Sequence, residues 1–97
     1  MALNININFE ESDNIWLVKP EGEIDIYTSP ELKEELIKAL KKKEADVVIN
    51  GERLEYLDST GLGTLISILK LVREKNNKIY IKNIKSNIRK LFSILLK

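Results

Sequence analysis

Seven consecutive residues, Leu57-Asp58-Ser59-Thr60-Gly61-Leu62-Gly63, hold the chemistry of this chain. Asp58 is a helix-capping residue type, which puts Ser59 and Thr60 in the first turn of the helix that follows. Unpaired backbone N–H groups and the helix dipole favour added negative charge at that end. A phosphate on Ser59 would carry about −1.5 to −2 charges and three strong acceptor oxygens. A helix start tolerates such a group, so its effect falls on whatever docks at the surface. Gly61 and Gly63 are expected to keep the turn uncluttered for a close approach. Catalysis by either hydroxyl needs a base within hydrogen-bond reach. The chain has no histidine, and no motif supports a lysine or carboxylate in that role. The segment therefore reads as a modification site on a binding protein, not an enzyme, with no catalytic residue assigned.

The flanking elements explain how such a site is held. Asp46 to Asn50 contains three consecutive β-branched or branched residues, Val47-Val48-Ile49, and reads as a strand covered on both faces. Residues 51–56 mix polar and apolar types, as a connection from strand to helix would. Leu62, Leu65, Ile66, Leu69 and Val72 then recur at helical spacing and line one face.

Upstream, residues 3–9 alternate apolar and polar types, Ser12-Asp13-Asn14 is a turn, and Ile15 to Val18 form a second strand stopped by Pro20 and Gly22. Thr28-Ser29-Pro30-Glu31 has the spacing of a capping box, with Thr28 as N-cap and Glu31 reaching back. Pro30 suits a first turn, and Leu32, Leu36, Ala39 and Leu40 form that helix's inner face. Downstream, Asn76-Asn77 is a turn and Lys78 to Lys82 a strand with Ile79 and Ile81 on one face. Ser86 or Asn87 caps a last helix over residues 86–96, with Ile88, Leu91, Phe92 and Leu95 inward. The order β-β-α-β-α-β-α describes an α/β domain over residues 1–97. Its sheet is mixed and mostly parallel, with right-handed crossovers after an opening hairpin. Ser59 then sits at a strand-to-helix junction, where such sheets present functional residues.

Composition narrows the function further. With 43% hydrophobic and 32% charged residues the 97-residue chain is globular. It has no cysteine or histidine, which removes disulfides and makes a zinc site a poor fit. No cofactor or metal is expected. Gly61-Leu62-Gly63 lacks the third glycine of a dinucleotide fingerprint, and no P-loop is present. Trp16 is read as sheet packing. Glu23 and Asp25, in a polar setting without a companion nucleophile, are read as recognition residues, and Tyr27 as a residue beside Asp25 on a docking surface. No apolar run approaches the roughly 18–20 residues of a membrane span. Met1-Ala2-Leu3-Asn4 lacks the basic and apolar parts of a signal peptide, giving a cytoplasmic location.

Two segments resemble landmarks of the STAS domain family, in its stand-alone bacterial form: the anti-sigma factor antagonists, or anti-anti-sigma factors. They are Leu57 to Gly63 and Gly22-Glu23-Ile24-Asp25, at the expected separation, and the resemblance covers essentially the whole chain. It implies that Ser59 is phosphorylated by a partner that is both a serine kinase and an anti-sigma factor. The unphosphorylated antagonist binds that partner and frees a sigma factor. The phosphorylated form is released, and a metal-dependent serine phosphatase resets the cycle. Thr60 is a secondary acceptor, and Asp58 and Asp25 match acidic positions flanking the site. The partner-binding set is then Glu23, Asp25, Tyr27, Asp58, Ser59, Thr60 and Gly61. The alternative is a STAS subunit of a membrane lipid-transport or stress-sensing assembly. Family members continue past residues 86–96 into another short strand and a final helix, while this sequence stops at Lys97. The sheet edge is therefore a place where another chain could pair.

Charge is unevenly spread. The segment Lys70 to Lys97 carries +8 and the preceding part −7. The basic part reads as a solvated face or a docking surface for an acidic partner or anionic lipid. Direct nucleic-acid binding is disfavoured, since few aromatics interleave the basic residues. Glu21, Glu23, Asp25, Glu52, Glu55 and Asp58 are expected to form an acidic rim around Ser59.

Overall fold

The computed structural model describes residues 2–95. Alternation in the first residues builds an antiparallel hairpin, β1 (Leu3–Glu10) and β2 (Ile15–Ile24). Asn14, with φ 55°, takes the left-handed position of its turn, a conformation asparagine tolerates. Helix α1 (Ser29–Lys42) leads to β3 (Asp46–Asn50) and a short β4 (Leu54–Leu57). Helix α2 (Ser59–Glu74), β5 (Ile79–Lys82) and α3 (Ser86–Leu95) complete the chain. The expected β-β-α-β-α-β-α succession is present, with β4 added where residues 51–56 read as a plain connection. The five-stranded sheet is mixed: β1 runs antiparallel to β2, whereas β2–β3, β2–β4 and β3–β5 are parallel.

Pro20 and Gly22 do not stop β2. The strand pairs with β3 through Val18 and with β4 from Gly22, so Pro20 lies where it changes partners. A missing backbone donor is tolerated at such a gap. Gly22 has φ 116°, and a Cβ there would collide with the carbonyl oxygen of Ala2. Only glycine fits, and the register shifts between Gly22 and Glu23.

Helices α1 and α2 pack on one face of the sheet, and strand residues alternate accordingly. Val47 and Ile49 are buried against the helices with Trp16 and Val18. Val48, expected to be covered, lies on the opposite face, where Asn6, Asn8, Leu17, Lys19, Asn50 and Lys82 surround it in a shallow depression. The β-branched run thus marks a strand covered on one side only. Leu32, Leu36 and Ala39 of α1 are buried as expected, with Leu40 half-buried against them. In α2 the deepest residues are Leu62, Leu65, Ile68 and Val72, while Ile66 and Leu69 are half-buried. Leu62, Leu65 and Val72 are thus buried as expected, and Ile68 takes the inner place expected of Ile66 and Leu69.

Trp16 packs edge-on against Phe9 at 5.0 Å and donates its indole N–H to the carbonyl oxygen of Lys43 at 2.8 Å. Asn76, with φ 61°, forms the turn after α2. The first turn of α3 bonds back to the carbonyl oxygen of Lys85, so Lys85 takes the cap position assigned to Ser86 or Asn87. Ile88 is buried, and Leu91 and Phe92 pack against the core. The expectations for the Leu95 side chain and for residue 96 fall outside the described residues.

Candidate functional site

Helix α2 begins where β4 ends. Asp58 is its N-cap: Oδ1 accepts the Gly61 N–H at 2.7 Å. That bond satisfies one orphan donor of the first turn. The other oxygen, Oδ2, accepts the Ile26 N–H at 3.2 Å. One carboxylate therefore ties the start of α2 to the loop between β2 and α1. Ser59 and Thr60 follow, and both are exposed.

Gly61 and Gly63 do different work. Gly63 faces open space, as expected. Gly61 is buried, and a Cβ there would lie 2.5 Å from the carbonyl oxygen of Ile24 and 2.8 Å from the side chains of Ile24 and Leu57. Its missing side chain lets the helix start sit directly on the end of β2. The expected opening of the turn toward a visitor therefore comes from Gly63 alone.

Asp25 is likewise an internal residue, only 7% exposed. Its Oδ1 accepts from the backbone N–H groups of Tyr27 (2.9 Å) and Thr28 (3.0 Å), and the Thr28 hydroxyl oxygen lies 3.2 Å from it. Burial works against ionisation here, but the hydrogen bonds from Thr28 and Tyr27 outweigh it, and the pKa is held below the ordinary value. Thr28 makes no side-chain cap to its own helix, contrary to the capping-box reading. Its hydroxyl donates to the Glu23 carbonyl oxygen and accepts from the Asp25 N–H. Asp25 and Thr28 thus lock each other and shape the loop that carries Ile26 and Tyr27.

That loop supplies the apolar part of the site. Tyr27 is 84% exposed and Ile26 58%. Ile26 is absent from the sequence-derived set, because nothing in the local pattern says that an isoleucine between Asp25 and Tyr27 points outward.

The acidic rim does not stand free. Glu52 pairs with Lys19 at 2.9 Å, which lowers its pKa, and Glu55 pairs with Lys85. Glu21 accepts from Asn4 and Asn6. Glu23 is half-buried, and its Oε1 has no hydrogen-bond partner among the described residues. Asp25 and Asp58 are engaged as described, while Glu52 and Glu55 stay exposed at the surface with their charges paired by lysines. The exposed residues that the Asp58 bonds bring together here are Ser59, Thr60, Ile26 and Tyr27.

A mixed sheet with helices packed on it, and an exposed serine at a helix N-terminus capped by a carboxylate that also holds the β2–α1 loop, define a small α/β domain. The STAS domain profile matches residues 6–95, and the chain belongs to that family. It is 37% identical over 92 residues to the anti-sigma-B factor antagonist of Staphylococcus aureus, covering 95% of this chain and 85% of that one. The anti-sigma factor antagonist SpoIIAA in its unphosphorylated form superposes with a TM-score of 0.76 at 17% identity, over 94% of this chain and 83% of that one. The Bacillus cell fate determinant SpoIIAA in its phosphorylated form gives 0.72 at 18% identity, over 94% and 82%. Among the described residues no helix is long and apolar enough to cross a membrane.

Proposed function

We propose that this chain is a phosphorylation-switched antagonist of an anti-sigma factor. With Ser59 free, it binds a partner that is both anti-sigma factor and serine kinase, and a sigma factor is released. With Ser59 phosphorylated it lets go, and a metal-dependent serine phosphatase restores the hydroxyl. These are cytoplasmic events, and the chain acts in them as a binding protein and as substrate. Thr60 is the secondary acceptor.

The observation that carries this reading is the position of Ser59. It is exposed at the start of α2, beside the exposed Ile26–Tyr27 loop that Asp58 ties to it. A partner that covers Tyr27 and Ile26 would desolvate the neighbouring hydroxyl at small cost. A phosphate dianion in the same place would have to be stripped of water, which is far costlier. Release then follows from desolvation more than from repulsion by a rim of carboxylates. Both oxygens of Asp58 already accept backbone N–H groups, which argues against its serving as a base for Ser59.

The test uses Ser59→Ala and Ser59→Asp. Both fold as the parent does. Ser59→Ala keeps partner binding and is not phosphorylated by the kinase and ATP, as read by mass spectrometry. Ser59→Asp binds at least about tenfold more weakly, or about 1.4 kcal/mol. Parent-like binding by Ser59→Asp, or stoichiometric phosphorylation of Ser59→Ala anywhere but Thr60, overturns the reading.

A further inference from the structure

Among the described residues β1, β4 and β5 each pair with one other strand only, and these edges differ in kind. β4 and β5 are four residues long, and β5 is preceded by Lys78 and ends on Lys82, with Asn83 in the left-handed region just beyond. Shortness and lysines are the usual protection of an edge strand. β1 has none of these devices. It is eight residues long and pairs with β2 in an unbroken register from Leu3↔Gly22 to Glu10↔Ile15. No bulge, proline or lysine interrupts it. Between Leu3 and Phe9 it carries no charge at all.

We infer that β1 is an interface for a second copy of this chain, joined antiparallel so that two sheets become one. The occupant follows from self-complementarity. In an antiparallel pair, residues directly opposite each other point to the same face. A two-fold axis at Asn6 sets Ile5 opposite Ile7, Leu3 opposite Phe9 and Asn4 opposite Asn8, with Asn6 meeting its own copy. Apolar residues meet apolar residues on the helix-covered face, and asparagines meet asparagines on the open face. A two-fold interface brings each residue to its symmetry partner's surroundings, so a charged strand would repel itself, and this one does not. Leu3, Ile5, Ile7 and Phe9 are only half-buried at the edge, although they pack against the core. A second β1 would cover their exposed flanks and pair the free backbone groups. β4, which leads into Ser59, lies on the opposite side of β2. The pairing therefore leaves both copies of the Ser59 surface open.

The test reads mass across concentration by analytical ultracentrifugation on the full chain. The parent is expected to double in mass between micromolar and sub-millimolar concentration. Asn6→Asp puts two carboxylates face to face on the axis, beside Glu21 of each copy, and raises the dissociation constant at least tenfold with its circular dichroism unchanged. A second variant is independent of that one. The chain has no cysteine, and an opposed strand pair brings Cβ atoms near disulfide distance. Asn6→Cys should cross-link to a dimer under mild oxidation much faster than Asn87→Cys on α3. A parent that stays monomeric, a dimer that Asn6→Asp leaves intact, or equal cross-linking of the two cysteine variants overturns the inference.

Discussion

Asp58 accepts the backbone N–H of Ile26, 32 residues earlier in the chain, at 3.2 Å. This bond ties the helix carrying Ser59 to the loop carrying Tyr27. The same side chain caps α2 through Gly61. A capping residue thus also fixes the geometry between the Ser59 hydroxyl and the apolar loop.

Asp58→Ala removes both bonds at once. Loss of an N-cap costs about 1 kcal/mol, and the stranded Ile26 N–H adds to that where water does not reach it. The expected result is a lower midpoint in urea unfolding with an unchanged slope, plus faster amide exchange at Ile26. Asp58→Asn keeps one side-chain acceptor and should recover part of the loss. If Asp58→Ala left exchange at Ile26 unaltered, the link between loop and helix would be unimportant.

Tyr27 and Ile26 are exposed at 84% and 58%, so truncating them removes little from the fold. Tyr27→Ala should shift stability by no more than about 0.5 kcal/mol. In the proposed complex it should weaken partner affinity by about tenfold or more, as loss of an aromatic anchor does. Isothermal titration against the kinase partner measures it. Full affinity in an Ile26→Ala, Tyr27→Ala double variant would show that this loop is not part of the contact.

Asp25 has a pKa below its ordinary value of 3.8 in the folded chain. Its folded-state value is depressed, so its contribution is fully present above the unfolded value and is lost as pH falls through the folded one. The thermal midpoint should therefore drop as pH falls below about 3.8, with Glu52, held down by Lys19, acting in the same direction. Asp25→Asn should lower stability at neutral pH and flatten the acid limb. An acid limb identical to the parent's would mean that Asp25 carries no linked proton.

The succession of elements could be read from the chain because its signals are local. Period-two alternation in residues 3–9 gives β1, helical spacing after Leu62 gives α2, and Asp58 before Ser59 gives the cap. Each depends on neighbours within about a turn of the backbone. The Asn76 turn is of the same kind, since its left-handed φ is a property of one residue type.

Tertiary structure decided the rest, and always where distant segments meet. Pro20 stays inside β2 because the strand changes partners there. β4 exists because Gly22 to Ile24 offers residues 54–57 an edge to pair with. Asp25 was legible as a charged residue near the site, yet its carboxylate turns inward because Tyr27 and Thr28 present donors that only the folded loop assembles. Gly61 must be glycine because the carbonyl of Ile24 lies beneath it. Residue order specifies which backbone shapes are cheap. Which atoms face each other across a helix–strand contact is set only when strands and helices far apart in the chain are packed together.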